Sequence, residues 1–171
     1  MRDWDEIRTR HGPAIWATIY RVVRNEADAL DCLQEVFTEA FTKDRQGSIE
    51  NLPGLLRWLA VRRALDVLRK RKGVSTNDLP DDAIATDSPQ SSAQVHAEFE
   101  ELIEVVRREL NTLPSNQAEA FWMCCVEQAT YAEAAESMQL STNHVGVLVH
   151  RARSHLKIAL AGLNPIRSAP S

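Results

Sequence analysis

The sequence predicts an all-α protein: two small helical domains joined by a flexible acidic linker, the second containing a helix-turn-helix. Three observations lead there. Apolar residues recur at three-and-four spacing, the period of one helix face, before residue 72 and again after residue 98. Between them the composition turns polar and acidic, with Pro80 and Pro89 breaking any helix. The last third then reads as a short helix, a tight turn and a longer helix. The expected divisions are residues 1–72, a linker over 73–97, a second domain over 98–163 and a disordered tail over 164–171.

Each element has its own local warrant. Asp3 to Arg24 carries a stripe of Ile15, Ile19, Val22 and Val23, and Gly12-Pro13 is expected to interrupt it because proline lacks a backbone donor. Asn25 suits an N-cap, with Asp28 placed to reach back as a capping-box variant. From Glu26 to about Phe41, Leu30, Leu33, Val36, Phe37, Ala40 and Phe41 trace one face, while Asp28, Asp31, Glu35 and Glu39 make the other acidic. Lys43 to Asn51 is a polar connection, and Pro53 fits the first turn of the next helix.

That helix, Leu55 to Lys72, is the most informative stretch. Leu55, Trp58, Leu59, Leu65 and Leu68 share a face, whereas Arg62, Arg63, Arg69, Lys70, Arg71 and Lys72 fall largely off it, with Asp66 the one acid. A solvated basic face is the simpler account of such a helix alone; a polyanion partner is the sharper one. The net charge of −4 conceals this pattern. Residues 1–72 hold fourteen of the twenty Lys and Arg against eleven acids, while residues 73–100 hold six acids and no base.

Periodicity resumes with Phe99, Leu102, Ile103, Val106, Leu110 and Leu113, then breaks at Pro114-Ser115. A helix bearing Phe121, Trp122 and Val126 follows. Thr130 with Glu133 has capping-box spacing, Tyr131 to Met138 forms the short helix, and Ser141 caps a helix running to about Leu160. On its exposed part lie Thr142, Asn143, His144, Gly146, Val147, His150, Arg151 and Arg153, at the end that enters a major groove in helix-turn-helix proteins. A generic helical hairpin is the plainer alternative.

These residues resemble a known family. Ala27-Asp28-Ala29-Leu30-Asp31-Cys32-Leu33-Gln34-Glu35-Val36-Phe37 is similar to the D-A-x-D-x-x-Q-E-x-F signature of sigma-70 initiation factors, in particular the small two-domain extracytoplasmic-function group. Leu65-Asp66-Val67-Leu68-Arg69, Leu113-Pro114, Tyr131 to Ala135, Leu140-Ser141 and His150 to Arg153 match in order, over about residues 10–160. The resemblance implies that Asp28, Asp31, Gln34, Glu35 and Phe37 bind core RNA polymerase. It likewise assigns Arg62, Arg63, Arg69 and Lys70, with the loop 43–51, to the −10 promoter element. Thr142, Asn143, His144, Val147, Arg151 and Arg153 would address the −35 element. Promoter DNA and core polymerase are thus the implied partners, and many members are also held by an anti-sigma factor. Several positions depart from the pattern: Leu55 for tryptophan, Arg62 for asparagine, Ala118 for arginine, Gln139 for a turn glycine and Gly146 for lysine.

Other classes are disfavoured. No stretch approaches the roughly 18–20 apolar residues of a membrane span, and the N-terminus lacks a secretory pattern, so a cytoplasmic location is expected. Cys32, Cys124 and Cys125 are expected to be reduced thiols. The five histidines form no metal-ligand spacing; no cofactor, metal or catalytic residue is expected. A stand-alone helix-turn-helix regulator is the main alternative, accounting for residues 130–156 but for neither the acidic signature nor the basic helix.

Overall fold

A computed structural model describes residues 2–72 and 93–162, and every regular element among them is helical. The first three helices form a bundle. Helix α1 spans Trp4–Val23, started by Asp3, whose carboxylate accepts from the amides of Asp5 and Glu6. The expected interruption at Gly12-Pro13 is absent, because the amide that Pro13 lacks would have bonded Thr9, and both residues are exposed to water. Arg24 ends the helix in the left-handed region at φ 50°.

Helix α2 spans Glu26–Gln46, a full turn beyond the expected end. Asn25 caps it by accepting from the Asp28 amide at 3.0 Å, but the Asp28 carboxylate turns away to pair with Arg71. Helix α3 spans Leu52–Lys72, capped by Asn51, whose side-chain oxygen accepts from the Gly54 amide at 2.9 Å. Ile15, Ile19, Val22, Val36, Leu56, Leu59 and Leu65 fill the space between the three. Leu30, expected on the inner face, is 53% exposed instead.

The second group begins earlier than expected. Helix α4 spans Ala93–Leu110, so residues 93–97 are helical rather than linker, while Gly73 to Ser92 and the tail from Leu163 lie outside the described residues. Phe99 and Leu102 continue its apolar period but are exposed. Helix α5, Ser115–Phe121, runs into a π-helical turn over Trp122–Val126, closed by Glu127 N donating to Trp122 O at 3.0 Å. Helix α6, Tyr131–Met138, and helix α7, Thr142–Ala161, complete the helix-turn-helix.

The two groups pack directly on each other, and their buried apolar residues form one contiguous core. Helix α3 is the shared wall, touching α1 and α2 on one side and α5 and α6 on the other.

Candidate nucleic-acid and partner interfaces

The acidic and basic helices meet each other first. Arg63 donates from Nη2 to Glu39 at 2.6 Å and sits 3.5 Å from Glu35; Arg62 lies 3.7 Å from Glu39 and stacks over Trp58 at 5.2 Å. Arg71 pairs with Asp28 and donates to Val23 O at 2.8 Å. The hydrogen bond to Glu39 raises the Arg63 pKa, whereas burial lowers that of Arg71. Two faces that the sequence presents as separate surfaces are therefore partly one another's counter-ions.

What α2 still offers outward is narrower. Asp31 and Gln34 are exposed beside an open groove of about 570 Å³ between α1 and α2, lined by Trp4, Leu30, Leu33, Phe37 and Phe41. Phe37 is itself buried and forms wall rather than projecting surface. Cys32 lies behind this face, where burial and the charges of Glu35 and Asp31 push its thiol to about 11. It stays protonated at neutral pH and serves as packing.

On α3, Lys70 is exposed and has no ion pair among the described residues. Arg69 is occupied: it donates to Ser115 Oγ and, at 3.4 Å, to Leu113 O, while Asp66 lies 4.0 Å away. Residues 43–46, expected in the loop, belong to the last turn of α2, so the connection is 47–51; with Lys43 and Gln46 it opens onto a cleft of about 410 Å³ walled by Leu55 and Trp58 on one side and by Glu136 and Ser137 of α6 and the following Gln139 on the other. Trp58 Nε1 donates to Glu119 at 3.1 Å, and Asn51 donates to Glu136 at 3.0 Å. Glu119 is buried, and that burial raises its pKa.

The helix-turn-helix is built by local chemistry. Thr130 and Glu133 form both hydrogen bonds of a capping box, which lowers the Glu133 pKa through the Thr130 backbone bond. Gln139 supplies the left-handed turn at φ 56° that a glycine would adopt without strain. Ser141 then caps α7 by accepting from the His144 amide at 3.1 Å. Thr142, Asn143, His144 and Val147 are exposed in the first two turns, and Arg151, halfway along the helix, is also exposed. Arg153 is exposed as well but points elsewhere, donating to Cys125 Sγ at 3.3 Å. Gly146 sits under the Tyr131 ring, where an added Cβ would lie 3.6 Å from it. A longer side chain at that position would emerge beside the ring.

Sequence reasoning missed the residues joining the two groups. Glu127 accepts from Thr18 at 3.0 Å and Arg21 at 2.5 Å; buried Arg107 donates to Val22 O at 2.5 Å; Arg24 pairs with Glu100. Gly54, on α3, lies at the closest approach: a Cβ there would meet Ser137 Oγ at 2.9 Å. Among the described residues no group of three His, Cys, Asp or Glu is placed to hold a metal ion, and no helix is long and apolar enough to cross a membrane.

Comparison with known proteins follows this division of the chain. The family model of Sigma-70 region 2 matches residues 7–74, and that of Sigma-70, region 4 matches residues 103–156. The ECF RNA polymerase sigma factor SigE of Mycolicibacterium smegmatis is 26% identical over 163 residues, covering 94% of this chain and 63% of its own length. The ECF RNA polymerase sigma factor SigM of Bacillus subtilis is 27% identical over 153 residues, covering 90% and 92%. Among solved structures, the sigma factor RpoE in complex with the anti-sigma factor NepR from Bartonella quintana shares the fold. Its TM-score is 0.59 at 20% identity, over 94% of this chain and 98% of that one.

Proposed function

We propose, for a chain that belongs to the extracytoplasmic-function group of the sigma-70 family, that it binds core RNA polymerase, directs it to promoters through −10 and −35 elements, and promotes their opening. What supports this reading is that one chain carries two different surfaces suited to nucleic acid. The exposed N-terminal end of α7 suits a duplex groove, and the basic helix α3 beside the connection 47–51 suits an opened strand.

Each surface has its own role. Asp31, Gln34 and exposed Glu35, beside the α1–α2 groove, offer the polymerase an acidic, partly apolar face, flanked by Asp28 in its pair with Arg71 and backed by buried Phe37. Arg62, Arg63, Arg69 and Lys70 grip phosphates, while the cleft by Trp58 receives an unstacked base. Thr142, Asn143, His144, Val147 and Arg151 meet base edges and backbone of the duplex, and Arg153 positions the helix end. No covalent step is needed: opening is favoured to the extent that the chain holds the opened strand more tightly than the closed duplex. Joining two modest sites through one polymerase multiplies their affinity. Such work is done in the cytoplasm. An anti-sigma factor is a further partner, in keeping with the family resemblance.

The test is selection of genomic fragments retained by the chain together with core polymerase, followed by permanganate mapping of unpaired thymines. A shared pair of elements with reactivity confined to the downstream one supports the proposal. Arg62→Ala with Arg63→Ala should lower reactivity more than polymerase binding. Specific duplex retention without polymerase would favour a stand-alone regulator instead.

A further inference from the structure

The connection 47–51 has little backbone bonding of its own. The Gly47 amide closes the last turn of α2 on Lys43 O at 3.1 Å, and Asn51 already belongs to the cap of α3. Between them, among the described residues, the protein hydrogen bond to the backbone of Ser48, Ile49 or Glu50 comes from Arg2, whose Nη2 donates to Ile49 O at 2.6 Å. The other arm of that guanidinium, Nη1, donates to Asp44 Oδ1 at 2.9 Å, and Trp4 Nε1 donates to Asp44 Oδ2 at 3.3 Å. The Asp44 side chain is only 16% exposed, and the Trp4 ring stands edge-on against Phe41 with centroids 5.6 Å apart. The segment leading into α1 is thereby tied to the end of α2 and to the middle of the connection, across 47 residues of sequence. Ile49 lines the cleft shared with Trp58, so what fixes its backbone also fixes that wall.

We propose that Arg2 is a positioning residue for strand capture: oriented by Asp44, it holds the Ile49 carbonyl so that the connection 47–51 is already shaped for an unstacked base before the strand arrives. This rests on the function proposed above. A loose connection would have to be ordered as the strand binds; one ordered beforehand leaves more of the contact energy as affinity. A fixed wall also discriminates, because a loose one reshapes around any base. The role needs arginine. Its planar fork satisfies a carboxylate and a carbonyl at once, whereas the ammonium of lysine is a point charge on a flexible stem. Asp44 contributes through Arg2, although its own charge repels phosphate.

That opposition of signs gives the test. The unaltered chain, Arg2→Ala, Arg2→Lys, Asp44→Ala and the double variant Arg2→Ala with Asp44→Ala are each bound to core RNA polymerase. Each complex is titrated with fluorescent single-stranded oligo(dA), oligo(dT) and oligo(dC) 12-mers, which read the same in every register, and core polymerase alone is the blank. Arg2→Ala and Asp44→Ala should each weaken the best-bound 12-mer by about tenfold and narrow the spread among the three, and the double variant should lose no more than either alone. Arg2→Lys should recover less than about half of that loss. Affinity for polymerase should change by less than about twofold. Were Arg2 a phosphate ligand, Asp44→Ala would tighten the strand and Arg2→Lys would restore it; either result overturns the proposal. A lower melting temperature with an unchanged spread among the 12-mers would make the contacts structural and also overturns it. Should the alanine variants not fold, Arg2→Lys decides alone: strand affinity and spread equal to those of the unaltered chain overturn the proposal. A complex of the unaltered chain that retains no 12-mer beyond the blank overturns instead the function on which the inference rests.

Discussion

Replacing Glu39 by glutamine should weaken the fold and strengthen polyanion binding at once. Glu39 accepts from Arg63 at 2.6 Å, lies 3.7 Å from Arg62 and 3.9 Å from Lys43, and its side chain is 19% exposed. A hydrogen bond to a charged group contributes roughly 1.5–3 kcal/mol, and a neutral acceptor keeps about half of that. Arg63 is 33% exposed, so solvent screening reduces the loss further, to about 0.5–1 kcal/mol. For a chain of this size that corresponds to a melting temperature lower by about 1–4 °C. The same change frees two guanidinium groups for phosphate. Each one that transfers to a single strand should steepen the dependence of log K on log salt by about 0.7. Thermal unfolding by circular dichroism and titration of a random-sequence 12-mer at stepped salt read both effects. A lower melting temperature with an unchanged salt slope would show that Arg62 and Arg63 are structural and not phosphate ligands. An unchanged melting temperature would refute the pairing itself.

Three further outcomes follow from the geometry. Asp31→Lys should weaken core polymerase binding at least tenfold without changing the helical signal, whereas Asp28→Lys and Glu35→Lys should also lower the melting temperature, because they lose Arg71 and Arg63; equal polymerase binding by Asp31→Lys would remove α2 from the interface. Gln139→Gly should raise stability by about 1 kcal/mol by relieving a left-handed backbone, read as a higher melting temperature, and a drop would show that the side chain matters more than φ. Burial raises the Glu119 pKa, so the stability contributed by its proton is fully present below the ordinary carboxylate pKa and is lost as pH rises through the raised value. The melting temperature should accordingly rise as pH falls through that window, and Glu119→Gln should flatten the profile.

The sequence made local structure legible and left distant contacts hidden. The Thr130–Glu133 box and the Asn25 and Ser141 caps are decided within four residues, so spacing alone locates them. Pro13 misled because its cost depends on whether the orphaned carbonyl is wet, which composition does not reveal. The π turn at Trp122–Val126 has no apolar period of its own. Charge periodicity showed that α2 is acidic and α3 basic, but not that their registers would bring Glu39 to Arg63. Exposed Phe99 and Leu102 carry the same helical period as buried Val106, since a face is written in sequence while its cover is not. Glu119, Ser115 and Glu136 find their partners Trp58, Arg69 and Asn51 46 or more residues away, which no local pattern encodes.

Engagement of core RNA polymerase can be measured by titrating the fluorescently labelled chain with sigma-free core enzyme from its source organism. Saturable binding at submicromolar concentration, displaced by a second sigma factor and weakened by Asp31→Lys, is the predicted result. No binding by a folded chain would rule out a role in initiation and leave the helix-turn-helix to act on DNA alone.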